Sequence, residues 1–478
     1  MAGGAAMVET RTIDVVPDGE RHGRPLNQFT LWFGANMQIT AIVDGALAVV
    51  FGADALWAII GLTIGNILGG IVMALHSAQG PRMGLPQMIS SRAQFGVLGA
   101  AIPLVLVIVM YLGFAATGTV LSGQAINAIL GVDAPWVGIV IFGLLTAAIA
   151  ILGYKFIHHL GRIATVVGIL GLGYLSVRVL GQLGPSTGSG LITNAHFDVV
   201  TFLLAISLGA GWQLTFGPYV ADYSRYLPRD TPASKTFWAT WAGSVVGSSW
   251  AMTLGALIAS LPGAADGGFL ANQVGFIGKL AGGGLIALVI YLVIVIGKLT
   301  VNSLNAYGGF MCALTTVSAF TKTTYVRKGI RAVAICAFLA VSVIIALAAS
   351  ADFLTYFKNF VLLLLMVFTP WSAINLVDYY LISRERFDIP AFYDAHGRYG
   401  SWNWIALGTY AAGVVLQIPF LAQTLYTGPI TDLLGGADIS WLVGLVATAA
   451  IYYPLARRTA HPPQQMIYPN DDRETISV

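Results

Sequence analysis

The chain has 478 residues, of which 57% are hydrophobic and only 9% are charged. Soluble domains carry roughly 25% charged residues, so this composition excludes a soluble globular protein and predicts a membrane protein. The formal net charge is only +3. A small positive charge on such an apolar chain reports orientation in the membrane, and no nucleic-acid partner is indicated.

The apolar residues form runs of about 18 to 25, the length that an α-helix needs to cross a hydrocarbon core of about 30 Å. Membrane β-barrels need short alternating segments, which the sequence does not contain. We therefore predict an all-α membrane protein with twelve transmembrane helices. The predicted spans are 27–51, 55–76, 97–123, 135–153, 161–181, 199–221, 235–262, 280–312, 330–350, 352–381, 403–421 and 437–456.

The basic residues orient these spans. If both termini are cytoplasmic, the inner segments hold 20 of the 24 Lys and Arg residues, as the positive-inside rule requires. The cytoplasmic tails are then 1–26 and 457–478, and the first span is the insertion signal because no signal-peptide core precedes it. The Pro-rich end, 461–478, is predicted to be disordered. We expect a multi-pass protein of the plasma membrane that acts as a monomer.

No soluble domain is predicted, since the longest segments between spans have about 20 residues. Twelve helices with so little outside the bilayer favour a transporter over a receptor. Both cysteines, Cys312 and Cys336, lie at or inside spans, so neither a disulfide framework nor a zinc site is supported. No cluster of catalytic residues is visible. We expect neither an enzyme nor a bound cofactor.

Two similar segments stand in the middle of spans 1 and 6: "GANMQIT" at Gly34 to Thr40 and "GAGWQLT" at Gly209 to Thr215. Glycine weakens a helix by about 1 kcal/mol relative to alanine, and the Gly-Pro pair that follows the second segment removes a backbone donor. The first helix of each inverted repeat is commonly broken at the binding site of a secondary transporter. We therefore predict a helix break in each segment.

A break exposes backbone carbonyls, which suit a cation, and backbone is tolerated there only where it is buried or lines a wet cavity. The amides of Asn36, Gln38 and Gln213 supply donors and acceptors for a polar solute. The alternative is structural. In that case the glycines allow close helix packing and the glutamines bond to neighbouring helices.

Three longer motifs, "NQFTLWFGANMQ", "GPRMGLPQMISSRAQFG" and "FGPYVADYSRYLP", resemble the nucleobase:cation symporter family 1, and within it the purine-cytosine permease branch. The resemblance implies the leucine-transporter fold, in which 27–181 and 199–381 form a five-plus-five inverted repeat and 403–456 adds two helices. It also implies alternating access and cation-driven import of planar heterocycles.

The resemblance implies roles for individual residues as well. Backbone carbonyls of Gly34 and Met37, with Thr300, are the cation ligands, and they form a metal site only if the ion is sodium. The substrate-binding residues that it implies, or that the motifs suggest, are Asn36, Gln38, Tyr111, Trp212, Gln213, Thr215, Phe216, Asn302 and Asn305.

These residue types suit a nucleobase. A flat heteroaromatic ring stacks on aromatic side chains for roughly 1 to 3 kcal/mol per base, and a Gln or Asn amide can satisfy an adjacent donor and acceptor on its edge. For Tyr111 and Trp212 the alternative is ordinary core packing.

Lys298 is a departure from the family pattern. It lies inside span 8, where a charge costs about 2.5 to 3.5 kcal/mol on insertion scales, which makes it a functional-site candidate. It precedes Thr300 by two residues, so we hypothesise that its ammonium takes the place of the metal ion, with proton coupling if Lys298 titrates. Asp44 is a possible partner. The alternative is a structural lysine that snorkels or forms a salt bridge.

The charged residues at the inner helix ends, Asp222, Arg225, Arg82 and Arg92, are predicted to anchor helix ends or form a gate, with Asp378 as a possible partner. The sequence thus predicts a secondary active importer of nucleobases such as cytosine, adenine, guanine and hypoxanthine, by proton or sodium symport. Alternatives are an importer of another small heterocycle, such as a vitamin precursor, hydantoin or allantoin, and, from another class, a channel or receptor.

Overall fold

The computed structural model describes residues 13–152, 154–183, 195–264, 268–321, 328–424 and 426–469. The fold is helical, apart from one small antiparallel hairpin, β1 (Ala422–Gln423) with β2 (Tyr426–Thr427). The α-helices are α1 (Pro25–Asn36), α2 (Ile39–Val50), α3 (Ala55–Met83), α4 (Gln87–Ser90), α5 (Arg92–Phe95), α6 (Ala101–Leu130), α7 (Pro135–Leu152), α8 (Tyr154–Gln182), α9 (Val199–Leu214), α10 (Gly217–Ser224), α11 (Ala233–Ala259), α12 (Phe269–Ala271), α13 (Gln273–Leu280), α14 (Gly284–Thr321), α15 (Lys328–Ala349), α16 (Phe353–Leu376), α17 (Trp404–Gln417), α18 (Pro429–Leu433) and α19 (Ser440–Thr459).

Within the described residues, six helical segments are long and apolar enough to cross a bilayer, and the bent pair α1 and α2 makes a seventh. One of the six, Gly329–Ile382, contains two predicted spans, which are separated by a 3-10 turn at Ser350–Asp352. The shorter apolar helices α7, α8 and α17 fall on three further predicted spans. The chain is therefore a multi-pass membrane protein.

The helix contacts repeat in the two halves of the chain. Span 1, made of α1 and α2, packs on α11, which is span 7, whereas span 6, made of α9 and α10, packs on α3, which is span 2. Likewise span 3 packs on span 9, through α6 and α15, and span 8 packs on span 4, through α14 and α7. Exchanging each of spans 1–5 with the span five positions later (1 with 6, 2 with 7, 3 with 8, 4 with 9) thus converts one set of contacts into the other, as expected for an internal repeat.

Glycines allow the closest of these contacts. A Cβ added at Gly255 of α11 would lie 1.8 Å from the carbonyl oxygen of Ile42 in α2, and one at Gly65 of α3 would lie 2.1 Å from that of Ile206 in α9. Small residues at such positions are typical of membrane helix interfaces, where packing replaces the hydrophobic effect as the driving force. They bring span 1 against span 7 and span 6 against span 2.

The predicted break in span 1 is confirmed. Helix α1 ends at Asn36, α2 begins at Ile39, and the two axes differ by 62°. Met37 and Gln38 form the connection, and the extended backbone of Gln38 (φ −144°, ψ 155°) starts α2. The first polar segment therefore sits where the helix changes direction.

The break in span 6 differs from the prediction. Helix α9 continues through the second segment to Leu214, the interruption is at Thr215 and Phe216, and the span continues without the sharp bend of span 1. Gly209 is a packing residue, because its Cβ would lie 2.4 Å from the Leu62 carbonyl oxygen. The structural alternative is thus correct for Gly209, while Pro218 opens α10 as expected.

Both ends of the described chain lie on one face of the bundle, which we call the terminal face. The backbone N–H of Val16 donates to the Gly84 carbonyl over 2.9 Å, and the Tyr468 hydroxyl donates to the Arg82 carbonyl over 3.0 Å. Both acceptors are at the end of α3. The prediction that 461–478 is disordered is therefore wrong for the part up to residue 469, because Ile467 pairs with the loop after α16.

Candidate functional site

A lysine reaches the break of span 1 from span 8. The Lys298 ammonium donates a hydrogen bond of 2.7 Å to the Gln38 side-chain oxygen, and the Gln38 amide nitrogen donates to the Ala35 carbonyl over 2.9 Å. The Met37 backbone N–H donates a hydrogen bond of 3.1 Å to the Gly34 carbonyl. The structure thus places Gly34, Met37, Gln38 and Lys298 together at one point.

Among the described residues, no opposite charge lies within salt-bridge distance of Lys298. Its side chain is 3% exposed and borders a cavity of about 50 Å³, which it shares with Met37 and Gln38. Neither carboxylate oxygen of Asp44 has a partner, so the suggested pair of Lys298 and Asp44 does not form. The ammonium is held by the oxygen of a glutamine amide, and no carboxylate of the described residues bonds to it.

Asn36 of α1 is hydrogen-bonded to two other helices, α11 and α9. Its amide nitrogen donates to the Trp32 carbonyl over 2.7 Å and to the Ser244 hydroxyl over 3.3 Å. Its oxygen accepts a 2.6 Å hydrogen bond from the Trp212 indole N–H. The residue is fully buried. In this conformation Asn36 joins the two polar segments to each other, and its role in substrate binding stays a prediction.

Gln213 is engaged in the same way. Its amide nitrogen donates to the Asn66 oxygen (2.9 Å) and the Ser248 hydroxyl (2.7 Å), and its oxygen accepts from the Ser244 hydroxyl (2.7 Å). The side chain is fully buried. These bonds tie α9 to α3 and α11, as the structural alternative expects, and the role of Gln213 in substrate binding stays a prediction.

Aromatic rings from three spans meet beside the break. The aromatic cluster consists of Trp32, Tyr111, Trp212, Phe216 and Tyr219. Centroid distances are 5.2 Å for Trp32 to Phe216, 5.5 Å for Tyr111 to Tyr219 and 5.8 Å for Trp212 to Phe216. The rings are tilted or edge-on, an arrangement that favours aromatic pairs. Three of the five were predicted as site residues.

Trp32 and Tyr219 were missed, although both stand inside the quoted family motifs. Phe216, Tyr219 and Tyr223 are spaced three and four residues apart, which places their side chains on one face of a helix. That spacing was a usable signal. Thr215 stands at the interruption between α9 and α10, and its hydroxyl donates to the Trp212 carbonyl over 2.7 Å.

The predicted residues of span 8 lie along α14. The Thr300 hydroxyl donates to the Ile296 carbonyl of its own helix (3.3 Å), and the Asn302 amide donates to the Ala115 carbonyl of α6 (2.8 Å). The Asn302 oxygen and the Asn305 amide nitrogen are buried and have no hydrogen-bond partner. These two atoms therefore hold unused hydrogen-bonding capacity on α14, the helix whose Gly308 packs against the Tyr111 ring.

The charged residues at the terminal face anchor helix ends. The Arg92 guanidinium donates to the Phe392 carbonyl over 3.1 Å, and an Asp222 oxygen accepts from the Gln87 backbone N–H over 2.8 Å. Asp378 accepts from the Gln94 amide over 2.9 Å and joins none of the arginines within ion-pair distance. The expected partnership of Asp378 with this set is therefore not observed.

Protein ligands for a transition metal are not grouped anywhere in the described part of the chain, where no three His, Cys, Asp or Glu residues come together. A sodium ion would instead need carbonyl and hydroxyl oxygens. Gly34, Met37 and Thr300 offer these atoms, but the Lys298 ammonium already lies at the adjacent Gln38.

Solved structures share this fold. The inward-facing conformation of Mhp1 matches with a TM-score of 0.76 at 20% identity, covering 99% of this chain and 98% of that one. A Na⁺-coupled sialic acid symporter matches with a TM-score of 0.64 at 12% identity, covering 96% and 95%. The chain therefore shares the all-helical fold of these membrane transporters.

Sequence comparison gives the family. The profile described as "Permease for cytosine/purines, uracil, thiamine, allantoin" matches residues 15–444. The putative purine-cytosine permease YxlA of Bacillus subtilis is 38% identical over 94% of this chain and 96% of its own length, and the purine-cytosine permease fcyB of Emericella nidulans is 27% identical over 93% and 87%. The chain belongs to this family, the nucleobase:cation symporter family 1, and is a transporter and not an enzyme.

Proposed function

We propose that the protein imports nucleobases of the cytosine and purine class, together with protons. The observation that carries the proposal is the aromatic cluster beside the broken span. The relatives named as purine-cytosine permeases support the same substrate class.

The base is proposed to enter between Tyr111 and Tyr219. Their centroids are 5.5 Å apart with a 37° angle between the planes. A base sandwiched between two rings needs about 7 Å, twice a carbon–carbon contact distance of about 3.5 Å. The two rings must therefore separate by roughly 1.5 Å and become parallel, which movement of α6 relative to α10 would provide. Stacking then supplies roughly 1 to 3 kcal/mol per base.

The polar edge of the base is proposed to bind amides that remain available. The Asn305 nitrogen has no partner among the described residues, and the Gln38 amide, which bonds to Lys298 and to the Ala35 carbonyl, keeps one N–H donor and one acceptor position. A Gln or Asn amide can pair with an adjacent donor and acceptor on a base. Trp212 and Phe216 contact each other in the aromatic cluster. The proposal gives Asn36, which bonds to the Trp212 indole, and Gln213, which ties α9 to its neighbours, the role of positioning Trp212.

Lys298 is proposed to be a tethered cation in place of sodium. Its ammonium is within hydrogen-bond distance of Gln38 at the break, Lys298 lines the same cavity as Met37, and it precedes Thr300 by two residues. A second cation at this point would be repelled strongly in a medium of low dielectric constant. We therefore expect transport to be independent of sodium and driven by protons.

We further propose twelve spans with the terminal face in the cytoplasm of the plasma membrane, and a monomer as the transporting unit. Termini on one face require an even number of crossings. The segment Gly329–Ile382 has 54 residues. At 1.5 Å per residue that is about 81 Å, which is more than twice a hydrocarbon core of about 30 Å, so it supplies two crossings.

The substrate class is tested by a thermal-shift and competition screen of the purified protein against adenine, guanine, hypoxanthine, cytosine, uracil, hydantoin and thiamine-like pyrimidines. We expect cytosine or a purine to bind most tightly. Tyr111→Ala should lose that binding, whereas Tyr356→Ala, which removes an exposed tyrosine of α16, should keep it. Binding of hydantoin or thiamine-like compounds alone would refute the proposed substrate and leave the fold intact.

The coupling ion is tested by measuring substrate affinity in sodium and in choline. We expect equal affinity in the native protein. Lys298→Met should bind more weakly in choline and regain part of its affinity in sodium, because the ion can enter the vacated position. Lys279→Met, which removes an exposed lysine, is the control. Sodium-dependent affinity in the native protein would exclude the tethered cation.

A further inference from the structure

Asp44 is a buried acid that the site described above does not use. It lies in α2, two turns beyond the break of span 1, and is 0% exposed. Neither of its carboxylate oxygens has a hydrogen-bond partner. Thr40 is one turn earlier on the same face of α2, is 1% exposed, and has a hydroxyl that is equally without a partner. Three oxygen atoms on one helix face are thus enclosed and unused.

The helices packed against α2 bring no charge to Asp44. These helices are α3, α6, α9, α11 and α16. Their ionisable residues, with the N-cap residue of α3, are Asp54, His76, Arg82, Tyr111, Lys235, Tyr356 and Lys358, and α9 has none.

The nearest candidates for an ion pair are engaged elsewhere. The Lys358 ammonium lies 4.1 Å from the ring centroid of Phe51, which is seven residues, or about 10 Å along the helix axis, from Asp44. Lys298 donates to Gln38. Arg82 pairs with Glu385 at the terminal face, and Lys235 is exposed at the start of α11. Within the part of the chain that the structure describes, Asp44 therefore has no cation to balance an ionised carboxylate.

An ionised carboxylate without a partner is far less stable in such surroundings than its protonated form. In this conformation Asp44 is consequently a neutral carboxylic acid that holds one proton. Water reaching the same face of α2 would stabilise the carboxylate and allow the proton to leave.

The position of Asp44 connects this proton to the substrate site. Helix α2 starts at Gln38, which bonds to Lys298, and Asp44 is six residues further along the same rigid helix. The two-residue connection at Met37 and Gln38, with its 62° bend, lets α2 change orientation relative to α1. A rearrangement around Gln38 on substrate binding would therefore move the face that carries Asp44.

We propose that Asp44 binds the proton that crosses the membrane with the substrate, an inference that rests on the proton coupling proposed above. With the α2 face open to the outer solution, the carboxylate takes a proton from water and becomes a carboxylic acid. Closure around the substrate seals it. Opening to the inner solution returns the proton to water and regenerates the carboxylate, so one proton moves and no bond other than O–H forms or breaks.

The experiment compares two assays in proteoliposomes containing cytosine or whichever nucleobase binds in the screen. One measures proton uptake on substrate addition with an entrapped pH-sensitive dye, and the other measures exchange of labelled for unlabelled substrate, which needs no gradient. Asp44→Asn should retain exchange and lose proton uptake and pH-driven accumulation. Asp133→Asn, which changes an exposed acid, should retain both.

Each failure has its own signature. Absence of proton uptake in the native protein would remove the proposed coupling itself. Proton uptake that persists in Asp44→Asn would overturn the role of Asp44 alone, and its loss only in Lys298→Met would assign the proton to the lysine. If Asp44→Asn does not fold, Asp44→Glu decides: it should keep proton uptake with a shifted pH dependence of exchange, and an unshifted dependence contradicts the inference.

Discussion

The hydrogen bond between Asn36 and Trp212 offers a test of whether Asn36 touches the substrate or only positions a ring. The indole N–H donates to the Asn36 oxygen over 2.6 Å, and both side chains are almost completely buried. Asn36→Ala leaves this donor without a partner, and Trp212→Phe removes the donor while keeping an aromatic ring. The double variant removes both polar atoms together.

The expected magnitude follows from the burial. A buried donor left without a partner costs about 1 to 3 kcal/mol, so the two single changes should be non-additive by about that amount. A free-energy change of 1 kcal/mol shifts the melting temperature of a protein larger than 150 to 250 residues by about 2 °C or less. The sum of the two single shifts should therefore exceed the shift of the double variant by up to roughly 6 °C.

The assay is thermal unfolding of the purified variants followed by tryptophan fluorescence, together with substrate binding. If Asn36 acts only by orienting the indole, Asn36→Ala should change the substrate Kd in the native background and have no further effect once Trp212 is Phe. Asn127→Ala, which removes another largely buried asparagine, serves as the control. Additive melting temperatures, or an equal loss of affinity in both backgrounds, would refute this reasoning and return Asn36 to direct contact.

Three further predictions follow from other parts of the structure. Tyr219→Ala should weaken nucleobase binding by about 1 to 3 kcal/mol in an equilibrium binding assay, and an unchanged Kd would remove Tyr219 from the proposed sandwich. Gly255→Val should lower the melting temperature and the folded yield because a Cβ would lie 1.8 Å from the Ile42 carbonyl oxygen, whereas Gly173→Ala, which meets nothing within 4 Å, should not. Asp198 is the N-cap of α9, and the hydrogen bond from the Thr201 backbone N–H lowers the pKa of its carboxyl below 3.8. The stabilisation that the ionised Asp198 gives to the folded state is therefore present above pH 3.8 and is lost as the pH falls through the folded-state pKa. Asp198→Asn should accordingly make the melting temperature less sensitive to acid.

The sequence could predict features that depend on local cost. A polar segment in the middle of an apolar span and a lysine inside span 8 both cost free energy in the membrane, so each indicated a functional position. The two meet at the break of span 1. The segment in span 6 looked equivalent. Its Gly209 instead packs on α3. The sequence alone does not distinguish a glycine that allows close packing from a glycine that interrupts a helix.

Partnerships between distant residues could not be predicted. The Gln213 amide forms hydrogen bonds with Asn66, Ser244 and Ser248 from two other helices, and no spacing in the sequence predicts those contacts. The sequence suggested Asp44 as the partner of Lys298, and only the three-dimensional arrangement shows that the partner is Gln38.

The hydrogen bonds that join Asn36, Gln213 and their partners hold α1, α3, α9 and α11 in fixed register, since a slide by one residue, about 1.5 Å, would break directional bonds that nothing else replaces. Contacts between aromatic rings carry no such penalty, because dispersion changes little as flat surfaces shift. Tyr111 of α6 and Tyr219 of α10 meet through such a contact, so their rings can shift past each other without breaking a hydrogen bond between them. A substrate bound between the two rings, as proposed, would therefore change how α6 and α10 move relative to each other.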